Sequence, residues 1–501
     1  MNNQVTLLEK LKALCDEDKD GEAAELIAAL PAEEQTDEIK SLLGRALNNL
    51  ERYDEALSVL MSVKESQSGT LGWNYRVGYA YFFLENYTKA LRYFCEALEF
   101  DPDDFDTRWF IAQCELERPF TQRVAEFWEW FGEHADIDQD GKDCWEVMDE
   151  LVAQGPSIIG DSIDFQIRSD YVIAFSFRKD YSALYMNPYI AAKAPAEIRR
   201  KWEVFSCIQP LPSPDTSFNM DGQTIKTADV MVAFEYNKEG KYFDLNYHNP
   251  SLAQLDKTES REVFYSMLED VIGGGPIRNY IKNMEQAESP EGMFPLTQLP
   301  EVMKRTLEEN GITYTLEPAM PYWKYERQPD EKDNMVRLDI IKGTTNCVPL
   351  VSQYYNKEYQ LYFDFTNCGI APMMLIIDQP DGMDTDDFIG NLHGVIDRID
   401  DLFQRPGNID GMILGSAYGW CGRGYIDLLV YNKKAFMEYI GNPYCLYTLL
   451  KPKNGEPMPR AYVKEFCPVG YFEALLEVRG PASSIQPMRM TENNDAHELP
   501  E

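Results

Sequence analysis

Cys421 and Arg423 stand two residues apart in a glycine-rich stretch, Gly415 to Gly424 (GSAYGWCGRG), and Asp427 follows four residues later. A guanidinium beside a thiol favours the nucleophilic thiolate, and a carboxylate can position a reacting group. Trp420, Cys421, Arg423 and Asp427 therefore make one candidate pocket. No histidine is near them in sequence, and Ser416 lacks the flanking glycines of a nucleophile elbow. The same residues also suit a bulged hairpin between the apparent strands GMIL and YIDLLVY, with Trp420 and Tyr425 packed around it. The hairpin reading leads; an enzyme with a site near residues 415–424 stands as an alternative.

Three further stretches carry the residue types of binding chemistry. DIDQDGKDCWE opens like a calcium loop, with Asp136, Asp138, Asp140 and Gly141 correctly spaced. Its twelfth position is Val147 rather than a bidentate glutamate, and its eighth is Asp143, so a solvated turn is expected. Gly273, Gly274 and Gly275 follow a helical stretch and precede Pro276, the reverse of a phosphate-cradling loop, so they read as a helix cap and turn. In DGMDTDD (Asp381 to Asp387) the carboxylates suit a helix start, with Thr385 capping a helix from Asp386. Four histidines and ten cysteines without a C-x-x-C pair leave no metal or cofactor site to expect.

The elements that must position such residues are constrained by composition. Eighty-four acidic against 47 basic residues leave a formal charge of −37, which repels phosphate backbones and excludes nucleic acid as a partner. It would steer a basic partner, and it also serves solubility. At 501 residues and 44% hydrophobic the chain calls for several packed domains. MNNQVTLLEKLKALCDEDKDGE has no basic start or long apolar run, and no stretch approaches the roughly 20 apolar residues of a membrane span. A cytoplasmic protein with buried, reduced thiols is expected.

Two windows repeat at a fixed period. Gly44 and Gly78, Tyr53 and Tyr87, Ala56 and Ala90, and Leu60 and Phe94 are each 34 residues apart. A small residue on one helix lets its antiparallel neighbour approach, alanine fills the facing contact, and Pro102 ends the second helix. The second window, with Gly78, Tyr81, Tyr87, Ala90, Phe94, Ala97 and Pro102, resembles the tetratricopeptide repeat family. The first departs from the pattern at Leu47 and Val63. A partial third repeat starts near Phe105, with Ala112 another 34 residues on and RVAEFWEWFGEH as a poorly fitting second helix. A degenerate helical pair precedes them as a cap, so the resemblance spans about residues 5–135.

The resemblance implies a surface that binds a protein or peptide partner on the first helix of each repeat. Carried onto this chain, that face holds Arg45, Asn48 and Asn49, then Tyr75, Tyr79 and Phe82, then Trp109 and Gln113. Its aromatic middle would meet either a foreign segment or the chain's own later domains.

Beyond about Asp143 the period changes to strand-like alternation in SIDFQIRS, YVIAFSFRK and KYFDLNYH, with helices in SALYMNPYIAAKAPAEIRR and TESREVFYSMLEDVI. SPEGMFPLTQLPE reads as a link, followed by strands in QLYFDFTN, PMMLIID, GMILGSAYG and YIDLLVY and a helix in TDDFIGNLHGVIDRIDDLF. The expected fold is multi-domain: an all-α helical-repeat solenoid (1–142), two α+β domains with mainly antiparallel sheets (143–292 and 293–480), and a disordered polar tail (481–501). The later regions, for example KWEVFSCIQP and GWCGRGYIDLLVY, look like bacterial domains of unknown function. The leading functional expectation is a protein-binding adaptor. Alternatives are an acidic inhibitor or immunity-like protein that captures a basic toxin or enzyme, and the enzyme above.

Overall fold

A computed structural model of the chain describes residues 2–466 and 476–478, apart from 18, 32–33, 103, 137–143, 161, 179, 221–222, 330–334, 359, 406–408 and 452–457. Two compact units emerge, Met1–Pro119 and Phe120–Glu501. The calcium-like loop (its middle, 137–143) and the tail from 481 lie outside the described residues; Asp136 itself pairs with Lys201 at 3.1 Å.

The first unit is all helix: α1 (Asn2–Asp16), α2 (Asp20–Ala28), α3 (Asp37–Asn49), α4 (Tyr53–Met61), α5 (Lys64–Gln67), α6 (Leu71–Phe83), α7 (Tyr87–Leu98) and α8 (Phe105–Glu117). Thr36, Thr70 and Asp104 cap α3, α6 and α8 by accepting a backbone N–H. The 34-residue period has a physical origin in both repeats. A Cβ on Gly44 would lie 2.5 Å from Leu60, and one on Gly78 would lie 2.9 Å from Phe94, so glycine is what lets each helix pair close. Ala56 and Ala90 are fully buried at the equivalent contacts. The turns repeat as well: Glu51 and Glu85 both take left-handed backbone, with φ of 60° and 58°.

The second unit opens with α9 (Phe120–His134), α10 (Cys144–Ile159), β1 (Asp164–Arg168), β2 (Val172–Ser176), α11 (Ala183–Ala192), α12 (Ala196–Arg199) and β3 (Glu203–Phe205). β1 and β2 are antiparallel, and β3 lies parallel to β2. The next stretch holds β4 (Ser217–Met220), β5 (Gln223–Lys226), β6 (Met231–Asn237), β7 (Tyr242–His248), α13 (Lys257–Ile272), α14 (Gly274–Tyr280), β8 (Ile281–Gln286), β9 (Phe294–Pro295) and α15 (Leu299–Glu309). Here β8-β7-β6-β9 form a four-stranded sheet. Its Val232, Phe243, Leu245 and Tyr247 pack against Phe264 and Met267 of α13 and Leu299, Met303 and Leu307 of α15. The residues read as a link, 289–301, thus carry a strand and a helix start.

The last stretch contains β10 (Trp323–Glu326), β11 (Ile340–Thr345), α16 (Val348–Asn356), α17 (Gln360–Asn367), β12 (Ala371–Asp378), α18 (Thr385–Gln404), β13 (Gly411–Gly419), β14 (Arg423–Val430), α19 (Lys433–Gly441), α20 (Pro443–Leu450), β15 (Ala461–Glu465) and β16 (Leu476–Val478). One seven-stranded antiparallel sheet runs β10-β11-β13-β14-β12-β15-β16. Period-two alternation gives it two apolar faces. Met373, Leu375, Ile377, Ile426 and Leu428 meet α18, α19 and α20. Met374, Ile376, Tyr425 and Leu429 face a core completed by Phe127, Trp128 and Phe131 of α9 and Phe165 and Phe175 of β1 and β2.

Two local expectations need correction. QLYFDFTN is helix α17 rather than a strand, because its buried residues are Leu361, Tyr362 and Phe365, spaced i, i+1, i+4. The cap of α18 is Asp384, whose carboxylate accepts from Asp386 N at 2.8 Å, so Thr385 is the first helical residue.

Candidate functional site

Within the first unit, α3, α6 and α8 enclose a groove of about 380 Å³. It is lined by Arg45, Asn48 and Asn49 from α3, by Leu71, Gly72, Tyr75, Arg76 and Tyr79 from α6, and by Asp104 and Asp106 at the start of α8. Five of the eight residues placed on the concave face, Arg45, Asn48, Asn49, Tyr75 and Tyr79, come together here. Phe82 does not line the groove; its ring packs 5.0 Å from Phe110 and 5.5 Å from Tyr87. Trp109 is 48% exposed with its edge against Phe110, and Gln113 is half-buried; neither lines the groove.

The aromatic wall is built by packing. Tyr75 sits edge-on to Phe94 and Phe110 at 5.7 and 5.9 Å, and Tyr79 lies 4.6 Å from Phe83 and 5.3 Å from Phe110. Burial raises the pKa of both phenols, and the charges of Asp106 and Asp104 add to the rise at Tyr75. On the α3 side the polar groups bind one another. Arg45 donates to Asp16 at 3.0 Å and to the Cys15 carbonyl at 3.1 Å, and Asn49 donates to Asp20 at 3.1 Å. Arg76 donates to the Ser41 hydroxyl at 2.8 Å and carbonyl at 3.2 Å; burial, then Arg45, pulls its pKa down to about 10. Gly72, Tyr75, Arg76 and Tyr79 recur at i, i+3, i+4 and i+7, a helical stripe from which Arg76 could have been read. Asp104 and Asp106 carried only the signal of a helix start.

In the second unit, Trp420, Cys421 and Arg423 lie at the β13–β14 hairpin, where Gly422 has φ of 73°. Trp420 is exposed, and Cys421 is half-buried. The lowered thiol pKa expected beside Arg423 is not found. Burial, then Asp339, raises it, and both outweigh Arg423. Arg423 lies 3.7 Å from Asp339, whose other carboxylate oxygen accepts from the Tyr425 hydroxyl at 2.5 Å. Asp427 is on the same strand face but fully buried, bound bidentately by Arg337 at 2.5 and 2.8 Å. Arg337 and Asp339, about ninety residues away in sequence, are the partners that a sequence reading misses. His134 and His248 are tied to the carbonyls of Trp130 and Ala287.

A third polar cluster surrounds Glu269 of α13, which is 7% exposed and 3.8 Å from Arg178. Arg178 also holds Ser266 and Glu262 and lies over the Tyr265 ring. Burial, opposed by Arg178 and reinforced by Asp270, Asp164 and Glu262, pushes the Glu269 carboxyl up to about 7. A folded pKa above the unfolded value of roughly 4.3 gives stability that is complete below 4.3 and lost as pH rises through 7. Stability of the second unit against urea should therefore weaken between about pH 4.5 and 7, by on the order of 1–3 kcal/mol. Glu269→Gln should remove that slope, and an unchanged slope in the variant would rule out Glu269 as its source.

Residues 74–104, spanning most of α6 and all of α7, match the tetratricopeptide repeat family model. No curated protein matches the chain. The chain thus carries a tetratricopeptide segment in its first unit, and no helix of the described residues is long and apolar enough to cross a membrane.

Proposed function

We propose that this is a binding or adaptor protein that holds a short segment of a protein partner in the groove of α3, α6 and α8. The observation that carries this reading is the groove itself, which joins two tyrosine rings to a polar rim in and beside the segment that matches the repeat family. Its volume falls within the roughly 300–1,000 Å³ of sites that enclose a ligand. The formal charge of −37 supports a basic partner and opposes nucleic acid. It equally supports a narrower version, an inhibitor or immunity-like protein for a basic toxin or enzyme. Nine cysteines outside any disulfide among the described residues fit a reducing cytoplasm.

The test uses the full chain as bait in its native cells. Tyr75→Ala with Tyr79→Ala should lose the partners that the wild type captures, while the circular dichroism spectrum keeps its helical signal. An identical partner set from a folded double variant would end the groove reading. Capture of a basic partner should also weaken steeply as salt rises, because exposed charges are screened beyond about 10 Å at 0.1 M.

A further inference from the structure

We propose that the α8 end of this groove takes a lysine or arginine side chain of the partner segment, its cation set between the Tyr75 and Tyr79 rings and the carboxylates of Asp104 and Asp106. The inference rests on the groove reading above and assigns the chemistry of its occupant.

Charge demand differs between the two ends. At the α3 end the cations are already met: Arg45 by Asp16, and Arg76 by Ser41. Arg45 also disfavours the charge on Arg76, so that end already holds two cations. At the α8 end Asp104 spends one oxygen on capping Thr107 N at 2.9 Å, and exposed Asp106 has no ion-pair partner among the described residues. Both aspartates line the same groove as Tyr75 and Tyr79, and their charges raise the Tyr75 phenol pKa.

An aromatic face attracts a cation through its quadrupole, and the aliphatic stem of lysine or arginine covers the ring while the head stays polar. A carboxylate beyond the ring adds a charge-assisted hydrogen bond. Asn48 supplies an independent sign that the groove awaits donors. It lines the groove at 3% exposure and donates its amide to the Arg76 carbonyl at 2.9 Å, yet its Oδ1 has no hydrogen-bond partner. A buried acceptor left unmet is costly, and a small side-chain shift would present it to a ligand N–H. Arginines at one end and aspartates at the other would also fix the direction in which the segment lies.

The test selects binders to the immobilised full-length protein from a random eight-residue phage-displayed peptide library. A selected peptide and its analogue with norleucine at the basic position are then titrated by fluorescence anisotropy. Selected sequences should share one lysine or arginine, and norleucine should weaken binding about tenfold. The double variant Asp104→Asn, Asp106→Asn keeps the α8 cap, since asparagine caps as well as aspartate. It should weaken the basic peptide about as much while leaving the norleucine peptide unchanged, the signature of direct coupling. Selected peptides that lack a basic residue, or equal losses for both peptides, would overturn the cation site. The groove reading would survive either result if Tyr79→Ala still abolished binding. Binding that persists in Tyr79→Ala, or no selected peptide at all, would overturn both.

Discussion

Asp427→Ala should cost the second unit about 3–5 kcal/mol, because it strands a guanidinium in a dry core. Arg337 and Asp427 are both fully buried, and their two parallel hydrogen bonds balance charge and geometry together. The guanidinium also lies 4.3 Å over the Phe466 ring and 5.5 Å from that of Tyr354, surroundings that cannot replace a carboxylate. Arginine does not escape by losing its proton. Domains are stable by only about 5–15 kcal/mol, so the loss would bring this unit near spontaneous unfolding. Asp427→Leu paired with Arg337→Met should recover most of the stability, since neither residue is then an unpaired charge. Urea titration followed by tryptophan fluorescence reads both variants. A single variant that unfolds at the wild-type midpoint would show that the pair contributes nothing. The same pair explains why Asp427 is unsuited to the enzymatic role considered from sequence: its carboxylate is already bound on both oxygens.

Gly275→Ala carries the second large effect. A Cβ there would lie 1.8 Å from the Leu316 carbonyl oxygen and 2.7 Å from its carbon, and backbone cannot rotate aside as a side chain can. The start of α14 or the 316–317 segment must move, at a cost of about 3 kcal/mol or more. Gly292→Ala is the matched control. Its φ of 76° is strained for alanine, but nothing lies within 4 Å, so about 1 kcal/mol is expected. Thermal unfolding should separate the two clearly; equal shifts would mean that the close approach does not matter.

The sequence disclosed what depends on near neighbours. The period linking Gly44 to Gly78 was legible because each glycine meets a residue sixteen positions on, Leu60 or Phe94, within one hairpin of helices. β12 was legible from an unbroken apolar run, and β14 from one interrupted only by Asp427. α17 was misread because Leu361, Phe363 and Phe365 alternate as a strand would, whereas the helix buries Leu361, Tyr362 and Phe365 and leaves Phe363 exposed. Long-range partners gave no local sign. Nothing near Asp427 announces Arg337, and nothing in RVAEFWEWFGEH says that Phe127 and Trp128 pack against Phe175. The groove was half legible for the same reason. The stripe on α6 is periodic, but Asp104 and Asp106 join it only through the stacking of α8 on its neighbour.

The composition of the second unit's main core has a consequence for synthesis on the ribosome. Phe120 N donates to the Gly369 carbonyl and Thr121 N to the Tyr431 carbonyl, so the start of α9 is tied to strands made some 250–310 residues later. At ~5–20 residues per second, those partners emerge roughly 15–60 s after α9 does. For that interval Phe120, Phe127, Trp128 and Phe131, all buried in the finished protein, lack the seven-stranded sheet that completes their cover, with only the β1-β2-β3 sheet made soon after them. The helical repeats ahead of them form a compact unit of their own, residues 1–119, and can fold at once. A nascent chain stalled between residues 210 and 430 would therefore present a finished solenoid followed by a partly uncovered aromatic helix, the kind of surface that chaperones hold and that aggregates when they do not.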